Sequence, residues 1–148
     1  PARTFWRVAQ ERFEREGRSV DFVDIYSNRQ LGNNFAIDHF LPWSFVAHDL
    51  LWNLTPVDPA MNSSKGDFLP DLDLYVPRLA RLHFGAIELV RERTKFLEDY
   101  ADCFKEDIPG LLALGERGFA VRYRELLLPQ AQIAHNLGFQ SSWRFRGQ

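Results

Sequence analysis

Ile37-Asp38-His39-Phe40-Leu41-Pro42, followed by Asn53-Leu54 and then Asn62-Ser63-Ser64-Lys65, is the stretch that decides how this chain folds. An acidic residue beside a histidine, a proline three positions later and two further asparagines form an ordered series of oxygen and nitrogen donors. The local signals around them alternate strand and turn. Residues 20–26 alternate apolar and polar, which predicts a half-buried strand. Residues 27–34, with Gly32 and paired asparagines, read as a loop. A strand is expected from about Phe35 into Asp38 and His39, then a long loop over 40–50 and a short strand around 51–54. Asp58-Pro59 is a helix start, with Asp as N-cap and Pro at the first helical position, and Gly66 ends that helix after about two turns. Asn62 and Lys65, three apart, share one of its faces.

Outward from this stretch the chain is helical. Phe5, Val8, Ala9 and Phe13 recur at helical spacing over residues 2–16, and Gly17 is a natural stop. Leu79, Leu82, Ala86, Val90, Leu97 and Phe104 predict one long helix beginning just after Pro77, a rod of about 40 Å. The run Asp107-Ile108-Pro109-Gly110 breaks it. A second helical stretch covers roughly 111–137, interrupted or kinked at Pro129 and ended by Gly138. The expected organisation is an N-terminal helix over 1–19, a core over 20–70 and a helical region over 71–148, packed as one unit. The fold class is α+β.

Composition narrows the function classes. With 148 residues, 45% hydrophobic and 14% aromatic, the chain can bury a real core, and no apolar run approaches a membrane span. There is no signal-peptide pattern, no membrane partner is expected, and the lone Cys103 points to the reducing cytoplasm. The chain opens on Pro1 and holds one methionine, Met61, so partner domains of a longer protein are expected. The single Cys103 excludes an intrachain disulfide and a paired-cysteine zinc site. Net charge is −2, without the overall basic excess that advertises nucleic-acid binding. Arginines do concentrate at the two ends: Arg3, Arg7, Arg12, Arg15 and Arg18, then Arg117, Arg122, Arg124, Arg144 and Arg146. These either track a phosphate backbone or form solvated helix faces.

Hydrolysing a phosphodiester needs a base for water, a cation for the charge that builds on phosphorus, and help for the leaving oxygen. A histidine, with a reference pKa of about 6.5, is a suitable proton acceptor. His39 is the candidate base. A carboxylate and an amide oxygen suit Mg²⁺ or Mn²⁺, which take few protein ligands and keep several waters. Asp38 and Asn62 fit that role.

The ordered set Asp38-His39-x-x-Pro42, Asn53-Leu54 and Asn62-x-x-Lys65 resembles the active site of HNH (ββα-metal) endonucleases. Its spacing is similar to the HNH nuclease domain of the RNA-guided CRISPR effectors, with Asn62 where the family name has its last histidine. The resemblance covers roughly residues 34–70. It implies a ββα-metal core around one divalent metal, with His39 as general base, Asp38 and Asn62 as ligands, and Asn53 on the second strand fixing the catalytic loop. It also implies cleavage of DNA to a 5′-phosphate and a 3′-hydroxyl. The resemblance further implies a setting in bacterial defence or restriction, with double-stranded DNA as the expected substrate and other domains or subunits of a defence complex as expected partners. Many relatives carry a structural zinc. This chain lacks the cysteines, so packed helices must support the core instead.

Other residues have plainer readings. His48 lies in the site loop and either touches phosphate or is solvated. Lys65 either faces the phosphate or serves as a helix C-terminal cation. Trp43 and Trp52 read as packing around the loop, and Asp67, Asp71 and Asp73 as caps and turns. Trp143 either stacks on a base or docks the tail. In a regular strand Asp38 and His39 point to opposite faces, so both reach one phosphate only if the strand ends there and the backbone turns. The rival readings are an RNA-cleaving toxin and a non-catalytic nucleic-acid-binding or interaction module on a degenerate HNH scaffold.

Overall fold

A computed structural model describes residues 1–146. Helix α1 (Ala2–Arg15) buries Phe5, Trp6, Ala9, Gln10 and Phe13 along one stripe. Strands β1 (Ala36–His39) and β2 (Leu54–Val57) form an antiparallel pair, with Ala36 opposite Val57, Asp38 opposite Thr55 and His39 opposite Leu54. A one-turn helix, α2 (Trp43–Val46), and a 3-10 turn (Leu51–Asn53) lie between them. Helix α3 (Pro59–Lys65) follows β2, capped by the Asp58 carboxylate on the Ala60 amide and closed at Gly66, whose φ of 51° suits a residue without Cβ. Then come α4 (Leu72–Leu89), a 3-10 turn (Thr94–Leu97), α5 (Glu98–Phe104), α6 (Ile108–Ala113) and α7 (Gly115–Asn136). The class is α+β, with a ββα core set among helices. One hydrophobic cluster joins Phe5 and Phe13 of α1, Phe40 and Val57 of the core, and Leu79, Tyr100 and Phe119 of the helical half.

Four sequence expectations are corrected. Residues 20–26 are not a strand. Ser19–Asp21 is a 3-10 turn, and only a single bridge joins Val23 to Gln30. The Asp24 carboxylate accepts the Tyr26 and Ser27 amides, a local turn that competes with extended backbone. Residues 51–53 are a 3-10 turn, so Asn53 stands just before β2 rather than on it.

The long helix begins before Pro77, because Asp71 caps the amides of Asp73 and Leu74. It ends at Leu89, where Arg12 of α1 takes the Leu89 carbonyl and pairs with Glu92. The single rod is therefore two helices, α4 being about 27 Å long. Between α6 and α7 the break falls at Gly115, with φ of 69°, while Pro129 stays inside α7.

The basic ends are largely committed inside the protein. Arg3 and Arg7 donate to the Phe35 and Asn33 carbonyls. Arg18 pairs with Asp21 and Glu88, Arg122 with Glu106, Arg124 with Asp73 and Arg144 with Asp71. Tertiary pairing accounts for these arginines without a phosphate backbone.

His83 of α4 is fully buried, with Nδ1 2.8 Å from the Tyr100 hydroxyl and the ring edge-on to Trp6. Among the described residues no carboxylate shifts it, and burial pushes its pKa down to about 3. A histidine kept neutral by the fold contributes stability fully above its unfolded value of about 6.5, and that stability is lost as pH falls from there toward about 3. At pH 5 the loss from this one group is about 2 kcal/mol. Urea midpoints at pH 7.5 and 5 should show it, and His83→Gln should flatten the difference between them. An equally steep pH dependence in His83→Gln would remove His83 as its source.

Candidate active site

β1 ends at His39, and alternation along the strand sends Asp38 inward and His39 toward solvent. Asp38 is 3% exposed. Its Oδ2 accepts from the Tyr26 hydroxyl at 2.7 Å, and the Lys65 ammonium lies 3.5 Å from Oδ1. Desolvation raises the Asp38 pKa, opposed by the Lys65 charge and the Tyr26 hydrogen bond. Burial likewise lowers that of Lys65, opposed by Asp38. The side chain of Lys65 is fully buried rather than turned to solvent at the helix end. Its ammonium also donates to the His39 carbonyl at 2.7 Å, so one cation braces both residues of the Asp-His pair.

The backbone turns directly after His39. The Phe40 amide donates to the Asn53 carbonyl at 2.9 Å. The Asn53 side chain then grips Leu41 on both sides, Oδ1 accepting its amide at 2.8 Å and Nδ2 donating to its carbonyl at 2.9 Å. Asn53 is fully buried, so all of these bonds form away from water. The helices hold Asn53 in turn. The Leu51 amide donates to Asp99 of α5, the Tyr123 hydroxyl of α7 to the Trp52 carbonyl, and the Trp6 indole of α1 to the Leu54 carbonyl. Three helices thus fix the residues on either side of the clamp.

Asn62 sits on α3, half-buried. α3 packs against β1, which sets Asn62 and Lys65 on the helix beside the strand that carries Asp38. Among the described residues no group of three or more His, Cys, Asp or Glu side chains gathers. The donors nominated from sequence are instead a carboxylate, Asp38, whose oxygens meet Tyr26 and Lys65, and the amide oxygen of Asn62. That set fits a hard dication that retains most of its own water, not zinc.

The site loop places two further residues nominated from sequence. The His48 ring leans on Trp52 at 5.2 Å, and its Nδ1 accepts the Leu50 amide at 3.3 Å. Its pKa is lowered, chiefly by desolvation. Trp43 is 55% exposed and is not loop packing, whereas Trp52 is buried.

Three residues were missed from sequence. Tyr26 holds Asp38. Asp24 binds the Tyr26 turn with Oδ1 and the Asp58 amide with Oδ2 at 2.7 Å, joining that turn to the start of α3. Asp49 Oδ1 lies 2.8 Å from His39 Nε2. The Asp-x-Tyr spacing signals a local turn but not its distant partner, and at 48–49 the histidine drew attention from the carboxylate beside it. The tail docks, with Trp143 edge-on to Tyr26 at 5.1 Å and its amide on the Leu69 carbonyl.

Residues 23–71 match the family model described as HNH endonuclease. No curated protein and no solved structure matches the chain.

Proposed function

We propose that this chain, which over residues 23–71 belongs to the HNH endonuclease family, is a metal-dependent endonuclease that hydrolyses phosphodiester bonds of DNA in bacterial defence or restriction. One observation carries the reading. A solvent-facing imidazole ends β1 next to a buried, ion-paired carboxylate, on a turn clamped by Asn53.

In this reading His39 accepts the proton of the attacking water as the water oxygen bonds to phosphorus. The bond from phosphorus to the 3′-oxygen breaks, and that oxygen takes a proton from solvent, giving a 5′-phosphate and a 3′-hydroxyl. Asp38 and Asn62 hold one Mg²⁺ or Mn²⁺, which supplies positive charge to the phosphate oxygens when bound. Asn53 keeps the turn after His39 in place. Lys65 acts on Asp38 and the His39 backbone rather than on the substrate, and His48 is the neighbouring contact for the phosphate backbone. One such site cuts one strand, so duplex cleavage takes a second copy or a partner subunit.

Incubation with supercoiled plasmid, in parallel with RNA, tests the reading. Nicking should require Mg²⁺ or Mn²⁺ and stop in EDTA, while circular dichroism in EDTA stays unchanged because the core is held by helices. Cleavage that persists in EDTA, or preference for RNA, would overturn the metal or the substrate respectively.

Asn62→Ala should weaken Mn²⁺ binding and cleavage together, since it removes one of two protein ligands, and excess metal should partly restore the rate. Unchanged Mn²⁺ affinity, read by titration calorimetry, would take Asn62 out of the ligand set.

A further inference from the structure

We infer that Asp49 is a positioning residue for His39, fixing the ring and holding it in the tautomer with the proton on Nε2, so that Nδ1 is the proton-accepting atom. The inference rests on the reading of His39 as general base. Its geometric basis is the 2.8 Å separation between His39 Nε2 and Asp49 Oδ1. An ionised carboxylate can only accept, so the shared proton belongs to the nitrogen. The other ring nitrogen then carries the lone pair.

The loop around Asp49 is built to present it. After α2 the chain reverses at Ala47, in the left-handed region with φ of 53°. That conformation strains a residue with a Cβ and persists only where the surroundings impose it. On the far side, the Leu50 amide is tied to His48 and the Leu51 amide to Asp99. The His48 ring is set against Trp52. Asp49 therefore projects from backbone held on both flanks.

Stability does not account for this arrangement. The Asp49 side chain is 74% exposed and that of His39 27% exposed. An ion pair so open to water contributes roughly 1 kcal/mol or less. Among the described residues, Asp49 makes no other side-chain hydrogen bond or ion pair. A ring that must meet a water in one orientation gains more from a fixed partner than the fold does. Asp38 cannot provide that service, because both its oxygens are taken by Tyr26 and Lys65 on the inward side.

The test uses the full chain labelled with ¹⁵N-histidine at pH 8, with His39 assigned by the signals lost in His39→Gln. Imidazole nitrogen shifts report the tautomer ratio directly. The wild-type ring should lie almost wholly in the Nε2–H form. Asp49→Ala should relax toward the ratio of free histidine, and Asp49→Glu should recover much of the bias. Single-turnover cleavage should fall by roughly 10- to 100-fold in Asp49→Ala, as for other residues that orient a reacting group. KM should change by about twofold or less, and the thermal midpoint should hold. A wild-type ring with the free-histidine ratio, a ratio unmoved in Asp49→Ala, or an Asp49→Ala rate within about twofold of wild type would each overturn the inference. If wild type cleaves no nucleic acid, the nuclease reading fails, while the tautomer ratio still decides whether Asp49 positions the ring.

Discussion

His39→Ala should lower single-turnover cleavage by about 10²- to 10⁴-fold, the contribution typical of a general base, which corresponds to about 3 to 5 kcal/mol of transition-state stabilisation. Asp38, Lys65 and His48 are each engaged elsewhere. Asp38 is buried, with both oxygens engaged, and Lys65 is fully enclosed with its ammonium on Asp38 and the His39 carbonyl. His48 has one ring nitrogen committed to the Leu50 amide. The loss should appear in the chemical step and not in folding, because a solvent-facing side chain at a strand end contributes little to stability. Mn²⁺ affinity should also hold, since the base is not a ligand. An alanine variant that cleaves within a few-fold of wild type would sink the assignment.

Lys65→Met should destabilise the protein by about 3 to 5 kcal/mol, the cost of leaving one partner of a buried ion pair uncompensated. Lys65 is fully buried and Asp38 is 3% exposed, so water cannot replace the missing ammonium. The His39 carbonyl loses its donor at the same time. At this chain length the thermal midpoint should drop by about 10 °C. The double variant Asp38→Asn, Lys65→Met should recover most of the loss, because no charge then remains to be buried. Both variants should be inactive, so the stability readout separates bracing from chemistry. A single variant as stable as wild type would mean that Asp38 is hydrated in solution and that Lys65 does not brace it.

Much of the core was legible because its signals are local. Asp58 followed by Pro59 caps a helix whatever surrounds it, and Gly66 ends it through its own φ freedom. The Asn53 side chain bonds both sides of Leu41 in the turn after His39, from a 3-10 turn just before the second strand. Local rules also misled. Alternation over 20–26 reads as a strand, but among the described residues only the Val23–Gln30 bridge pairs with it, and the Asp24 carboxylate offers the backbone a turn instead. The apolar seam through Val90 runs on past Leu89, where Arg12 from the opposite end of the chain stops the helix.

The sequence by itself determined the order of Asp38, His39, Asn53, Asn62 and Lys65 along the chain and the helix that carries the last two, because cap chemistry and residue spacing act within a few positions. Only the tertiary structure decided how those donors are held. Tyr26 on Asp38, Lys65 turned inward, Asp49 on His39, and the grip of Asp99, Tyr123 and Trp6 around Asn53 all join residues at least ten positions apart. Apart from the solvent-open Asp49–His39 pair, these bonds form where folding excludes water and makes an unpaired polar group costly. The basic ends, which in sequence look available to a phosphate backbone, likewise supply arginines that staple the molecule to itself, here at its surface.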